Sequence, residues 1–287
     1  MANKSPLTHQ SAFFCIIALA IALTGVSCTQ EDPSFLLRSD FSPVGNVIEY
    51  SLQLHRVGTV FENGEPLREV EFEIDADISY TTQEILPGDI AVVLEQQKWD
   101  MDKTDDSGKV TREIKERAYR LQFKPNGKIV GFEVVSAMSP AWTKYIRQYY
   151  EQGMPIFPSE KIKIGHSWTQ HSTVELENGE MAQSGTTYTV KGTARKLKHD
   201  CLILEYTGNL TLPYIPDSKD STEGRGHDQI EMNGLLYLDH EAGILVSSEE
   251  RRRIISTRSF FRDNQLVEHV AESDEMVSSG LKNISVE

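Results

Sequence analysis

The residues able to do chemistry are few and far apart. Ser279 and Lys282 form a Ser-x-x-Lys pair, the spacing that lets a lysine take the proton of a nucleophilic serine. They stand in a polar C-terminal stretch, where nothing desolvates the lysine into a base, so no nucleophile is expected there. The acidic run WDMDKTDDSGKVTRE offers oxygen ligands at Asp102, Thr104 and Asp106, with Glu113 twelfth in line. A calcium loop of that spacing needs glycine sixth, for its sharp turn, and the sixth residue is Ser107. A solvated hairpin tip fits better. His166 and His171 fall on opposite faces of a strand, so they cannot share a metal without a bend. Alternation puts Arg251 and Arg253 on one face and Arg252 on the other, a basic run that balances the acidic strands. His227-Asp228 and Asp239-His240-Glu241 read as solvated groups at strand ends.

No Gly-x-Ser-x-Gly elbow, His-Glu-x-x-His pair or phosphate loop occurs, and GRGHDQ lacks the strand-to-helix setting of a dinucleotide fingerprint. The sequence therefore predicts a non-catalytic protein with no cofactor and no metal. The formal charge is -14, and Lys4 is the sole charge in the first 27 residues, so their removal leaves -15. Phosphates of nucleic acid repel such a body, and no nucleic-acid partner is expected.

One cysteine carries the remaining chemistry. After Lys4, the residues from Ala12 to Leu23 are unbroken apolar. A stretch of that length covers roughly 18 Å as a helix, short of the ~30 Å hydrocarbon core of a bilayer. It reads as a cleaved export signal. The junction Gly25-Val26-Ser27-Cys28 resembles a bacterial lipobox, in which the Cys28 thiol is acylated and becomes the first mature residue. Gly25 stands where such motifs favour Leu, and the same tripeptide also satisfies the small-x-small rule of ordinary signal peptidase. Both readings cut before Cys28; the lipid alone differs. Cys201 lies in the strand pattern DCLILEY, as a buried thiol. Thr29 rather than Asp after Cys28 leaves the outer membrane, facing the periplasm, as the destination; a soluble periplasmic or secreted protein is the alternative.

The elements that must position any site are strands. In VEFEIDADISY, Phe72, Ile74, Ala76, Ile78 and Tyr80 point one way, and Glu71, Glu73, Asp75 and Asp77 the other. Period-2 alternation of this kind marks a half-buried antiparallel strand. It recurs through most of the chain, punctuated by Asn63-Gly64, Pro87-Gly88, Asn126-Gly127, Asn178-Gly179 and Ala242-Gly243. A single segment departs from it. SPAWTKYIRQYYEQG has Ser139 at an N-cap, Pro140 at the first helical position and Gly153 at the end. Trp142, Tyr145, Ile146 and Tyr149 fall at i, i+3, i+4 and i+7, one aromatic stripe. Trp142, Tyr145 and Tyr149 are the candidate ligand-binding residues, on a helix that covers a cavity. The alternative is a helix that only covers the core.

This helix separates two sets of strands in the same order. The peptide ENGE follows the first strand pattern of both sets, and the spacings from Gly45 to Gly165, between the ENGE copies, and from Gly127 to Gly243 are 120, 115 and 116 residues. They predict an all-β fold, an antiparallel curved sheet or half-barrel of two similar halves. The divisions are a signal at 1–27, a tether at 28–43, β halves at 44–137 and 158–273 around a helix and crossover at 138–157, and a polar tail at 274–287.

An exported cysteine before such an arrangement resembles the curved-sheet bacterial lipoproteins of the LolA, LolB and LppX type. A second resemblance is to uncharacterised bacterial lipoproteins with a P…V.VG..W step. Here the step is Pro158, Ile162, Ile164, Gly165 and Trp168, with His166 where such families often have Asp, followed later by YTVKG and LLYLDHEAGIL. The resemblance implies a half-barrel around a helix. It also implies a lipid or other hydrophobic small molecule as ligand, and a membrane contact through the acyl anchor. The rival reading is a structural protein with a filled core whose acidic strands contact another envelope protein. Cavity volume discriminates between them.

Overall fold

The computed structural model describes residues 33–104, 110–176, 179–214, 225–262 and 265–286. Signal, lipidation and tether readings up to residue 32, Cys28 included, lie outside these residues, as do residues 105–109 of the predicted acidic tip.

Two short strands, β1 (Ser34–Phe35) and β7 (Ile162–Lys163), pair with each other. The other strands form one antiparallel sheet. In chain order they are β2 (Asn46–Glu62), β3 (Glu65–Leu86), β4 (Ile90–Thr104), β5 (Val110–Phe123) and β6 (Ile129–Val134), followed by helix α1 (Pro140–Gly153). Then come β8 (Ser167–Glu175), β9 (Met181–Lys196), β10 (His199–Tyr214), β11 (Arg225–Asp239), β12 (Ile244–Arg262) and β13 (Gln265–Val286). Across the sheet the order is β6-β5-β4-β3-β2-β13-β12-β11-β10-β9-β8. Each set is a meander, and both run in the same direction across the sheet, with β13 between them. The edges β6 and β8 are not paired to each other, so the barrel is open.

The alternation is realised as read. Ile74 and Ala76 are buried on the concave side of β3, while Glu71, Glu73, Asp75 and Asp77 are exposed. Equivalent turns also coincide. Gly64 joins β2 to β3 and Gly179 joins β8 to β9; Gly127 joins β5 to β6 and Gly243 joins β11 to β12. At the first of these, Asn63 (φ 50°) and Gly64 (φ 87°) both adopt the left-handed region, which a two-residue hairpin of this twist requires.

Helix α1 begins where the sequence places it. The Ser139 hydroxyl accepts the Trp142 amide at 3.4 Å, and Pro140 opens the first turn, where no amide proton is needed. The helix packs on β6, an edge strand, and also on β10, eight places away in the sheet order. One helix touching both requires the sheet to curl around it. Tyr145 and Tyr149 pack with Tyr188, Tyr206, Leu210, Ile230 and Met232 of the second set. Ile146, Tyr149 and Tyr150 pack with Val93, Tyr119, Leu121 and Phe123 of the first. Large side chains buried in this way contribute about 1.5–3 kcal/mol each, so α1 stabilises both halves together.

Two expectations are corrected. The tether read over 28–43 gives way, from Ser34 on, to packed chain. Leu37 is buried with Phe157, Ile162, Val190 and Leu204, because apolar residues interrupt the polar stretch at Phe35, Leu37 and Phe41. Of the polar tail read over 274–287, residues 274–286 are the second half of β13, at the centre of the sheet. Its concave side carries Ser279 and the buried Glu275, polar residues that hid the strand period.

Candidate ligand cavity on the concave face

Ser39 and Asp40 cross one end of the curled sheet. The Ser39 amide donates to the Pro125 carbonyl at 2.7 Å, and the Asp40 amide to the Gly243 carbonyl at 3.0 Å. The segment therefore ties together the two equivalent hairpins, β5–β6 and β11–β12. A second strap leaves α1 and crosses beside it. The Phe157 amide donates to the Asn126 carbonyl at 2.8 Å, and the Trp168 indole to the Ile156 carbonyl at 3.0 Å. Gln170 donates to the Gln152 and Met154 carbonyls at 3.2 and 3.1 Å.

Beneath these straps lies a cavity of about 270 Å³. Phe41, Met154 and Phe157 roof it, and Ile48, Ile78, Leu204, Leu236 and Leu238 supply much of its wall. Its polar lining is Ser39 of the first strap, Ser248 and Glu250 of β12, Ser279 of β13, and the phenols Tyr50, Tyr80, Tyr188 and Tyr206. Burial pushes the Tyr50 and Tyr206 phenols up, so they stay protonated across the physiological range. The volume is just under the usual range for small-molecule pockets, about 300–1,000 Å³. At about 30 Å³ per solvent-sized group, it suits a single slender chain.

Between this cavity and α1 runs a layer of buried and half-buried polar groups. Glu250 accepts the Tyr206 hydroxyl and the Arg252 guanidinium. Arg252 also donates to the Tyr149 hydroxyl at 2.8 Å and lies 3.5 Å from Glu275, which pairs in turn with Arg56. Asp228 accepts Tyr145 at 2.5 Å and Arg258 at 2.7 Å. On the first half, Tyr150 donates to Glu95 at 2.5 Å; Gln97 donates to Tyr150 at 2.9 Å and Trp99 to Gln97 at 2.8 Å. Glu95 is fully buried, and burial raises its carboxyl to about 7 against the pull of Tyr150 and Gln97.

The predicted ligand stripe is placed differently from the expectation. Tyr145 and Tyr149 are consumed by Asp228 and Arg252, and Trp142 is 47% exposed, edge-on to Tyr145 and Tyr214. None of the three lines the cavity. Helical periodicity located the face but not what it meets. Arg252 does oppose Arg251 and Arg253, yet it is half-buried and paired rather than solvated, and Asp228 is buried. Ser279 and Lys282 do not form a pair: Ser279 bonds the Ser248 hydroxyl at 2.7 Å and Lys282 bonds Asp77 at 2.8 Å. Among the described residues no cluster of three or more His, Cys, Asp or Glu could hold a metal, and no helix is long and apolar enough to cross a membrane. The cavity residues were missed in sequence because they come from eight strands and both straps. The one signal was inward-facing tyrosine at Tyr50, Tyr80 and Tyr206.

A profile described as a family of unknown function (DUF6263) matches residues 138–245, which run from the start of α1 to the start of β12. No curated protein matches the chain. Among solved structures, lipovitellin, studied for its lipid–protein interactions, aligns over 86% of this chain at 13% identity with a TM-score of 0.43. The chain spans 26% of the length of that protein. A Bacteroides fragilis protein named for its inferred export and YmcC-like fold aligns over 88% of this chain and 100% of its own, at 11% identity and a TM-score of 0.23.

Proposed function

We propose that this protein binds a hydrophobic or amphiphilic small molecule, without catalysis, in the cavity of its concave face. The observation that carries the reading is that cavity: about 270 Å³ with apolar walls, under two straps that leave it unfilled. A scaffold has no reason to keep such a space, because unfilled volume costs stability in proportion to its size. The reading extends to an exported bacterial envelope protein held by an acyl group on Cys28, on the strength of the apolar leader and the cysteine that follows it. A lipid is the ligand class that such a location and such walls favour.

Intact mass of the protein purified from its native membranes tests both parts. Under denaturing conditions, the mass expected is the chain from Cys28 plus acyl groups. Under native conditions, an additional mass that dissociates as a lipid is expected. A Leu236→Trp variant, which fills the cavity, should fold and lose that adduct. An empty native species in the parent protein would shift the reading to a scaffold.

A further inference from the structure

We infer that the cavity selects an uncharged single-chain amphiphile whose head donates hydrogen bonds, and that it rejects carboxylate, phosphate and ammonium heads. The inference rests on the binding reading above and names the ligand class.

It follows from what the polar lining of the cavity offers. No residue lining the cavity is Lys, Arg or His, and Glu250 is its sole carboxylate. An anionic head would enter without a cation to meet it and would lie beside Glu250. Burying such a charge unpaired costs more than the chain contacts return. The nearest guanidinium, Arg252, has its donors committed to Glu250 and Tyr149, with Glu275 at 3.5 Å. An ammonium head fares no better, because Arg252 already neutralises Glu250.

Hydrogen-bond acceptors do remain. Each Glu250 oxygen takes one donor here, Tyr206 on one and Arg252 on the other, and an oxygen of a carboxylate has room for a second. Ser248 and Ser279 stand beside it, sharing a bond of 2.7 Å that either hydroxyl can donate. The arrangement is built rather than incidental. Gly234 is the register partner of Glu250, and a Cβ there would stand 2.4 Å from the Glu249 carbonyl oxygen, 2.8 Å from the Tyr206 hydroxyl and 2.9 Å from its ring. Only glycine lets Tyr206 lie across β11 and hold Glu250 at the cavity. The volume sets the other half of the specificity: it admits one chain, not two.

Calorimetric titration of the intact mature protein with 1-octanol, octanoate and octylamine, at mildly alkaline pH, tests this. The alcohol is expected to bind at least about tenfold more tightly than either charged analogue. Ser279→Lys, which adds a cation beside Glu250, is expected to bring octanoate up by at least about tenfold. Equal affinity for all three would overturn the inference and leave the binding reading standing. Tighter binding of either charged analogue overturns it too, as does an unchanged octanoate affinity in a folded Ser279→Lys protein. If none of the three binds, the binding reading falls with it.

Discussion

The two halves of the sheet share their strand order but handle buried acid in opposite ways. On the concave face of β12 and β13, Glu250 pairs with Arg252 and the buried Glu275 with Arg56 and Arg252, and on β11 the buried Asp228 pairs with Arg258. On β4, Glu95 is more deeply buried than any of these, and its partners are the neutral Tyr150 and Gln97. A paired charge stays charged in a low-dielectric site, whereas an unpaired one keeps its proton instead. One half of the molecule therefore carries ion pairs, and the other an acid whose burial favours the protonated form. Helix α1 reads both, through Tyr145 and Tyr149 on one side and Tyr150 on the other.

The largest effect expected comes from breaking the charge balance. Arg252→Met strips Glu250 of its cation, leaves Glu275 with Arg56 alone, and removes the donor to Tyr149. Removing one partner of a buried pair costs roughly 3–5 kcal/mol, which urea denaturation would read as a lower midpoint. A loss below about 1 kcal/mol, the range of exposed pairs, would mean that the layer is wetter than its burial implies.

The first half should respond to pH instead. Folding raises the Glu95 carboxyl from 4.5 to about 7. The folded state therefore binds the proton more tightly than the unfolded one, and the stabilisation is complete below pH 4.5. It is lost progressively as pH rises to about 7 and is absent above that. At about 1.4 kcal/mol per unit, the loss is roughly 3 kcal/mol. Glu95→Gln keeps an oxygen for Tyr150 and cannot ionise. Denaturation at acid and neutral pH should show that loss in the parent protein and not in the variant. A parallel pH dependence in the two would assign it elsewhere.

The tyrosines of α1 sharpen the contrast at smaller magnitude. Tyr149→Phe removes an acceptor from a charged donor and should cost about 1.5–3 kcal/mol at any pH near neutrality. Tyr150→Phe removes a bond that lowers the Glu95 carboxyl, so its pH midpoint should move up, most visibly above neutrality. Stability curves for the two variants should differ in shape, not only in height.

Much of this fold was legible, because strand alternation and tight turns are local. Phe72 to Tyr80, Asn63-Gly64 and Ser139-Pro140 each specify their structure within a few residues. What escaped is non-local. Arg252, in the run EERRR, reads as solvated until Glu275 on the neighbouring strand and Tyr149 on the helix are brought to it. Glu95, in LEQQKW, has the alternation of an inward residue but the type of an outward one, and Tyr150, 55 positions away, resolves the conflict. For β13 the same inversion made a central strand look like a tail, with Ser273, Glu275 and Ser279 facing inward. The cavity was least legible of all, because empty volume leaves no residue type as its signature.

Trp142 gives the smallest expected effect and the clearest check on where the ligand sits. The residue leads the aromatic stripe, yet it is 47% exposed and meets Tyr145 and Tyr214 by its edges, outside the cavity lining. Edge-on aromatic pairs contribute about 0.5–1.5 kcal/mol, so Trp142→Ala should cost about 1 kcal/mol of stability and leave binding of an uncharged amphiphile unchanged. If titration shows instead that affinity falls while the stability loss stays small, the ligand reaches the outer face of α1. The stripe would then belong to the site, and the cavity would hold only part of the chain.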